Sequence, residues 1–399
     1  MTARSAIKQR LLAAVCVTVL AGFASQAQAA AAGGSPNPLA DTCGAGLGAM
    51  PPADDFPVKL PAVSLLGARN DLPQPYEKGI HWGQLPNGRV FGAPIGIDLA
   101  RDGTIWVFDN CAVGGPPACA TSPLDPILQF DKAGKLLKSF GAGLTHGTHK
   151  IKVDAEGNVW VTDIGGAPGF GHTVLKFSPD GKLLMRLGKP GVPGPGLDQF
   201  DQPTDVAFGR NGDFFVADGQ SGGGAATGNA RIMKFDKTGK FIKTWGRKGM
   251  GPGEFDLVHA LATDSQGRLF VADRQNNRIQ IFDQDGNFIA QWFQFGRPSG
   301  IYIDKNDVIY VGDSSSLDGR SRTGKGAISP TGVGVNVGAA RGIRIGNAQD
   351  GTVTGFIPDI CPYPYSGTPT IGDGILADDE GNVYSGEFLG TIRKYVKKR

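Results

Sequence analysis

One pattern of fifteen residues recurs six times along this chain, and it limits the fold more than any other feature. Each copy reads as an apolar strand, a turn of Asp, Asn or Gly, and a second apolar strand that ends in an acidic residue. Apolar and polar residues alternate at the two-residue period of β-structure. The six windows are Ile95–Asp109, His149–Asp163, Thr204–Asp218, His259–Asp273, Ser299–Asp313 and Asp373–Glu387.

Most windows are followed by two further short strands, so each unit contains about four strands. In the clearest copy, a polar elbow leads from the window into Arg278–Phe282. Repetition of a four-stranded unit at this spacing predicts an all-β, six-bladed β-propeller. A β-sandwich or a set of small β domains is the alternative, although sandwiches do not repeat one window six times. The last unit is short, and either Val63–Leu66 or His81–Leu85 is expected to supply its outermost strand and close the ring.

The beginning of the chain resembles an export signal. Three basic residues precede the apolar run Leu11–Phe23, and Ala27-Gln28-Ala29 is typical of a cleavage site. The apolar run is too short to span a membrane as a helix. We therefore expect a periplasmic or secreted protein with a signal peptide over residues 1–30, a flexible arm over 31–57 and the propeller over 58–399.

The charge balance gives no reason to expect a polyanionic partner. Without residues 1–30 the chain loses Arg4, Lys8 and Arg10 from its 40 Lys and Arg residues, and none of its 37 Asp and Glu residues. A chain with balanced charges has no general attraction to nucleic acid or to an acidic membrane surface. Neither nucleic acid nor a membrane is therefore expected as a partner.

Cysteine usage agrees with export to an oxidising compartment. Four cysteines follow the leader, and the sequence alone cannot choose among their pairings. We favour a disulfide between Cys111 and Cys119, which would close a Gly- and Pro-rich loop, and a second between Cys43 and Cys361. Zinc binding by these sulfurs is the weaker alternative, because the spacing C-x7-C is not typical of zinc sites.

The first residue of each window is expected to lie near the propeller axis, and this column alternates in its chemistry. Blades two, four and six contribute His149, His259 and Asp373, whereas the odd blades contribute Ile, Thr and Ser. Alternate blades of a six-fold ring lie a third of a turn apart, so the three side chains should converge. Two imidazoles and a carboxylate with an open fourth position are typical of catalytic zinc.

Each of these residues also has a plainer interpretation. The two histidines could hydrogen-bond water in the channel, and Asp373 lies in a Gly-rich turn that an Asp side chain often caps.

Arg274 is the only cation among the residues that directly follow the acidic ends of the windows. It is expected to bind a substrate carboxylate, and an ion pair with an Asp of a neighbouring blade is the alternative.

Beyond these patterns, the sequence resembles NHL-repeat proteins. Linkers of the type G-x-x-G-x-(G/P)-G-x-x-F precede the windows, and within this group the chain is most similar to the lyase domain of the peptidylglycine α-amidating enzymes. The similarity covers most of residues 90–399. It is sharpest at Val271–Gln280 and at His149-x-Ile-x-x-Asp154.

This resemblance implies a six-bladed propeller that splits peptidyl-α-hydroxyglycine into a peptide amide and glyoxylate. It implies an axial zinc held by three histidines, a structural calcium in the channel, one catalytic Tyr and two Arg residues. His149 and His259 match two of the zinc ligands, Arg274 matches one arginine, and Asp373 replaces the third histidine. Gln220 and Asn110 stand at the positions of the tyrosine and the other arginine, so the acid–base step has no evident agent.

We therefore expect an exported, metal-binding propeller that acts as a lyase-like enzyme. Zn²⁺ would be the Lewis acid on a hydroxylated or peptidic substrate, and Ca²⁺ would be a structural ion. The alternative is a non-catalytic propeller that binds a ligand or a protein partner on its loop face, because propellers support many functions.

Overall fold

The computed structural model describes residues 62–64, 66–112, 119–220, 228–314, 316, 336, 338–360 and 371–399. The expected signal peptide, the arm and Cys43 lie outside the described residues, and so does Cys361. The disulfide between Cys111 and Cys119 is present, which confirms that pairing. Within the described ranges, no helix is long and apolar enough to cross a bilayer.

Twenty-four short strands in the described residues form six four-stranded antiparallel sheets. In blades one to three the strands are β2 Gly96–Leu99, β3 Ile105–Phe108, β4 Ile127–Phe130, β5 Leu136–Phe140, β6 Thr148–Val153, β7 Val159–Asp163, β8 Thr173–Phe177, β9 Leu183–Leu187, β10 Pro203–Phe208, β11 Phe214–Asp218, β12 Arg231–Phe235 and β13 Phe241–Trp245. In blades four to six they are β14 Val258–Thr263, β15 Leu269–Asp273, β16 Arg278–Phe282, β17 Phe288–Trp292, β18 Gly300–Ile303, β19 Val308–Asp313, β20 Gly342–Asn347, β21 Val353–Pro358, β22 Gly374–Ala377, β23 Val383–Glu387 and β24 Thr391–Tyr395, joined by β1 Ile80–Trp82.

The helical content described is limited to 3₁₀ turns, at Pro86–Gly88, Cys119–Thr121 and Arg274–Asn276. The chain therefore forms the all-β, six-bladed propeller that the repeated window predicts. In each blade the window supplies the two innermost strands, because the recurring turn of Asp and Gly joins them as a hairpin. In blade four, Asp264 accepts hydrogen bonds from the backbone of Gly267 and Arg268, and Gly267 has φ +79°, which favours glycine.

An N-terminal strand closes the ring, as expected. β1 pairs antiparallel with β24, with Ile80 opposite Lys394 and Trp82 opposite Ile392. The second of the two candidate segments thus supplies the outermost strand of blade six, whereas Val63 forms only an isolated bridge with Arg69. The pairing covers a sheet edge that would otherwise present unpaired backbone groups.

The hydrophobic core lies between the faces of neighbouring blades. Side chains alternate along each strand, so Phe215 packs toward blade four, beside Val271 and Phe282, whereas Val216 packs toward blade two, beside Trp160. Six such clusters of buried apolar residues lie between neighbouring blades and pack them together. This packing fixes the angle between blades, and it therefore fixes the distance between the innermost strands at the axis.

In blades one to five, the acid that ends the window binds the backbone of the loop that enters the blade. Asp163 accepts hydrogen bonds from the backbone N–H groups of Gly147 at 2.7 Å and His146 at 3.0 Å. In blade four, Asp273 accepts from the backbone of Asp256 at 2.9 Å and pairs with the buried Arg278 at 2.8 Å. In these five blades, such bonds tie the entering linker to the second strand of the blade, so the start of the innermost strand is held in place.

Candidate metal centre

Three side chains from alternate blades meet at the axis. His149 and His259 are the second residues of β6 and β14, and Asp373 directly precedes β22. Each is only 1% exposed. One potential ligand atom from each lies within 4.8 Å of those of the other two. The structure thus brings together the three residues that the alternating column predicted.

The hydrogen bonds of the two histidines fix their tautomers. Nδ1 of His149 lies 2.6 Å from the carbonyl oxygen of Thr204, and Nδ1 of His259 lies 2.6 Å from that of Ser299. A carbonyl oxygen can only accept, so each Nδ1 carries the hydrogen and donates it. Burial lowers the pKa of both imidazoles well below its ordinary value, and Lys150 and Arg274 lower it further. Both rings are therefore neutral, and each Nε2 presents a lone pair.

The two lone pairs face each other at a distance that suits one metal ion. Nε2 of His149 lies 3.3 Å from Nε2 of His259. Without a hydrogen on either nitrogen, this contact is not a hydrogen bond. Zinc binds imidazole nitrogen at about 2.0–2.1 Å, so two such ligands in a tetrahedral site lie roughly 3.3–3.4 Å apart. The histidine pair has the spacing that this geometry requires.

The carboxylate of Asp373 is buried without hydrogen bonds. Among the described residues, neither of its oxygens has a hydrogen-bond partner. Its Oδ1 lies 3.8 Å from Nδ1 of His259 and 3.9 Å from Nζ of Lys150. The interpretation as a turn cap predicts a bond to a nearby N–H group, and the described structure contains none. A buried carboxylate without hydrogen bonds is costly, and the ammonium of Lys150 at 3.9 Å compensates its charge only in part. Both oxygens therefore remain available to a metal ion.

Arg274 lies beside the histidine pair. It begins the 3₁₀ turn after β15, and its own N–H group donates to the carbonyl oxygen of Leu257 at 2.9 Å. Its Nη1 donates to Nε2 of His259 at 2.8 Å. The guanidinium therefore uses the lone pair that a metal on His259 would need. The structure thus places Arg274 beside the two histidines, and its expected role in binding a substrate carboxylate stays a prediction.

Asn110 and Gln220, which stand where the resemblance implies an arginine and a tyrosine, lie on the same face of the propeller as Arg274. The side-chain oxygen of Asn110 lies 3.1 Å from the hydroxyl of Thr148, the residue before His149. The backbone N–H group of Gln220 donates to the carbonyl oxygen of Gln202 at 3.1 Å, and its Oε1 is buried without a hydrogen-bond partner among the described residues. Amide side chains can orient a substrate through hydrogen bonds, but they do not exchange protons near neutral pH.

Two kinds of site group were missed by sequence reasoning. Thr204 and Ser299 were noted as side chains of the axial column, yet they act through their backbone carbonyls, which hold the two imidazoles. Such carbonyl partners orient histidine ligands in many metal sites. Lys150 was also missed, although it directly follows His149, because its strand period alone does not show that the ammonium stays inside the channel.

Comparison with known proteins agrees with this architecture. The family profile of the NHL repeat matches residues 255–282. The chain is 36% identical over 232 residues to peptidyl-glycine alpha-amidating monooxygenase B of Xenopus laevis, and the match covers 54% of this chain and 25% of that protein. It is 37% identical over 165 residues to peptidyl-alpha-hydroxyglycine alpha-amidating lyase 1 of Drosophila melanogaster, and here the match covers 38% of this chain and 28% of the relative.

Solved structures support the fold alone. A provisionally assigned gluconolactonase superposes with a TM-score of 0.52 at 13% identity, over 82% of this chain and 94% of that one. The chain spans about a quarter of the length of each of the two curated relatives described above.

Proposed function

For this NHL-repeat β-propeller, whose relatives include peptidyl-α-hydroxyglycine α-amidating lyases, we propose a zinc-dependent, lyase-like activity at the axial site. His149, His259 and Asp373 are the ligands in this proposal. The observation that carries it is the 3.3 Å separation of two neutral Nε2 atoms beside an unsatisfied carboxylate. The substrate is a small hydroxylated or peptidic molecule.

The donor set fits zinc better than a hard cation. Two imidazole nitrogens and one carboxylate oxygen suit zinc, whereas calcium and magnesium prefer oxygen ligands. A zinc ion held by three protein ligands would supply a Lewis acid for a substrate hydroxyl or carbonyl. The carbonyls of Thr204 and Ser299 keep both Nε2 atoms turned toward each other, so the ligand geometry is formed before the ion binds.

Arg274 is the proposed carboxylate-binding residue. A guanidinium presents parallel N–H donors that match the two oxygens of a carboxylate. Its Nη1 donates to Nε2 of His259, and a metal ion bound to Nε2 would use the same lone pair. Metal binding would therefore release this donor toward a substrate that enters from the face on which Arg274 lies.

Proton transfer has no assigned agent in this proposal. Asn110 and Gln220 would orient the substrate through hydrogen bonds, because their amides cannot act as acid or base. This feature also favours a second candidate function, in which the propeller binds a ligand or a protein partner without turnover. Retained metal ligands are compatible with both functions.

Metal content tests the proposed site directly. Purified protein is expected to hold about one zinc ion per chain. The double variant His149→Ala plus His259→Ala should hold almost none, because it lacks both nitrogen ligands. His172→Asn is a matched control, since His172 is a buried histidine of blade two with φ +55°, a conformation that Asn tolerates. Unchanged zinc content in the double variant would end the proposal.

Turnover separates the two candidate functions. Glyoxylate release from an α-hydroxyglycine model compound is measured for the wild type, for His259→Ala and for His172→Asn. A lyase requires release by the wild type and the control, and its loss in His259→Ala. Bound zinc without glyoxylate release would favour the non-catalytic binding module.

Export is part of the same proposal. The disulfide between Cys111 and Cys119 is typical of proteins that fold in an oxidising compartment. We propose that residues 1–30 direct the chain to the periplasm or the medium. N-terminal sequencing of the protein recovered from each cell fraction checks this, and a full-length chain confined to the cytoplasm would contradict it.

A further inference from the structure

Lys150 buries its ammonium group in the channel, next to the proposed metal site. The residue lies on β6 and is 6% exposed. Its Nζ lies 3.3 Å from the carbonyl oxygen of Ile95 and donates a close hydrogen bond to the carbonyl oxygen of Asp373. The nearest carboxylate oxygen, Oδ1 of Asp373, is 3.9 Å away. The side chain therefore extends from blade two to oxygens of blades one and six.

Glycines on the inner strands bring together the oxygens that this side chain contacts. The second window position is Lys150 in blade two but glycine in blades one, five and six. A Cβ atom on Gly374 would lie 2.6 Å from the carbonyl oxygen of Ile95, and one on Gly300 would lie 2.7 Å from that of Asp373. These are the two oxygens that the ammonium contacts. Glycine at these positions lets the inner strands approach closely, and the approach brings the oxygens together.

The contacts of Lys150 complete a pattern around the axis. In blades two and four, the axial histidine donates from Nδ1 to the carbonyl oxygen of the next odd blade. Asp373 in blade six has no such donor, because an ionised carboxylate only accepts. The corresponding carbonyl, that of Ile95 in blade one, receives its hydrogen bond from Lys150 instead. The lysine thus supplies both the missing donor and a positive charge beside Asp373.

We propose that Lys150 is a built-in structural cation, which occupies an oxygen-lined site in the channel where a calcium ion would otherwise bind. Two backbone carbonyls and a carboxylate are ligands that Ca²⁺ prefers, and here a tethered ammonium takes their place. This proposal goes beyond the proposed function, because it holds whether or not the protein turns over a substrate. It also revises the expectation of a structural calcium in the channel.

Thermal unfolding with and without calcium tests this proposal. The wild type should have the same Tm in EGTA and in excess CaCl₂, and should retain no calcium after dialysis. Lys150→Ala removes the charge and opens space, so its Tm in EGTA should fall by about 5 °C or more, and calcium should restore much of the loss. Lys150→Met is the matched control, because it removes the charge but still fills the space. Its Tm should also fall, and calcium should not restore it.

Each remaining outcome decides the question. One bound calcium ion per wild-type chain, with a lower Tm in EGTA, would overturn the proposal. A Tm of Lys150→Ala equal to that of the wild type in both media would also overturn it, as would equal restoration of both variants by calcium. If Lys150→Ala does not fold in either medium, Lys150→Met decides: a wild-type Tm contradicts a structural cation, and a lowered Tm supports it.

Discussion

Two buried aspartates at different positions of the repeated window, Asp273 and Asp373, differ in whether their hydrogen-bonding capacity is used. Asp273, at the acidic end of its window, accepts bonds from the backbone of Asp256 and from the side chains of Asn276 and Arg278. Asp373, at the start of its window, has no hydrogen-bond partner for either oxygen within the described structure. Both aspartates are almost fully buried, and they lie in two copies of the same repeat, Asp273 in blade four and Asp373 in blade six.

The difference shows that one position of the repeat stabilises the fold, whereas the other can bind a ligand. A buried charge that is fully paired stabilises the arrangement around it, and nothing remains for a ligand to contact. At the axis, the blades hold a carboxylate without hydrogen bonds and two imidazole lone pairs, one of which accepts a single bond, from Arg274. Such groups cost stability when no ion is bound, and they are the ones that a cation can use.

The largest expected effect comes from removing a paired charge. Asp273→Asn should destabilise the fold by about 3 kcal/mol, because it leaves the buried Arg278 guanidinium without its counter-ion. For a domain of this size the loss corresponds to a fall in Tm of roughly 4 °C, measured by thermal unfolding. Asp102→Asn, in an exposed turn, should change stability by less than about 0.5 kcal/mol. Equal effects of the two substitutions would show that the carboxylate of Asp273 contributes no more to stability than that of a surface turn.

The same substitution at the axis should affect metal binding more than folding. Asp373→Asn keeps the shape of the side chain and removes no hydrogen bond that the described structure contains. It does remove the charge 3.9 Å from Nζ of Lys150, a looser contact than the 2.8 Å pair of Asp273 and Arg278, so we expect the metal-free protein to lose about 1–2 kcal/mol of stability. Zinc affinity should fall at least about tenfold, because a charged ligand becomes neutral. Competitive titration with a chelator measures this, and unchanged affinity would exclude Asp373 as a ligand.

Arg274 gives a test that depends on substrate rather than on metal. Arg274→Lys keeps the charge but loses the planar pair of donors, so KM for a carboxylate-bearing substrate should rise by about tenfold. The kcat should change less, because the proposed contact is made before the chemical step as well as during it. Steady-state kinetics on substrate analogues with and without the carboxylate provide the comparison. A rise in KM of equal size for both analogues would argue against carboxylate binding.

The smallest effect concerns the pH dependence of stability without metal. Burial holds the pKa of His149 and His259 well below 6.5, whereas the unfolded chain regains ordinary values. As the pH falls through about 6.5, the unfolded state takes up protons that the folded state does not, so the free energy of unfolding decreases. The double variant His149→Ala plus His259→Ala should lose stability less steeply. Urea unfolding at neutral and mildly acidic pH measures both slopes, and equal slopes would show that these rings are not buried neutral.

Local repetition was sufficient to predict the blades. Strand alternation and the turns of Asp and Gly are properties of short segments, so the windows predicted the strand pairs and the propeller directly. Because the six blades form a ring, the first residue of every window lies near the axis. This symmetry predicted that His149, His259 and Asp373 meet there. The sequence predicted only that one of two segments, Val63–Leu66 or His81–Leu85, forms the closing strand, because either is apolar enough to pair with β24.

The sequence by itself therefore determined the repeating unit, the closed ring and the three side chains that meet at its axis. Only the tertiary structure decided which atoms those side chains present. The tautomers depend on the carbonyls of Thr204 and Ser299, and the position of Lys150 depends on oxygens of blades one and six. These partners lie 40 to 223 residues away along the chain. No local pattern specifies such contacts, because they arise from the angle at which whole blades pack against one another.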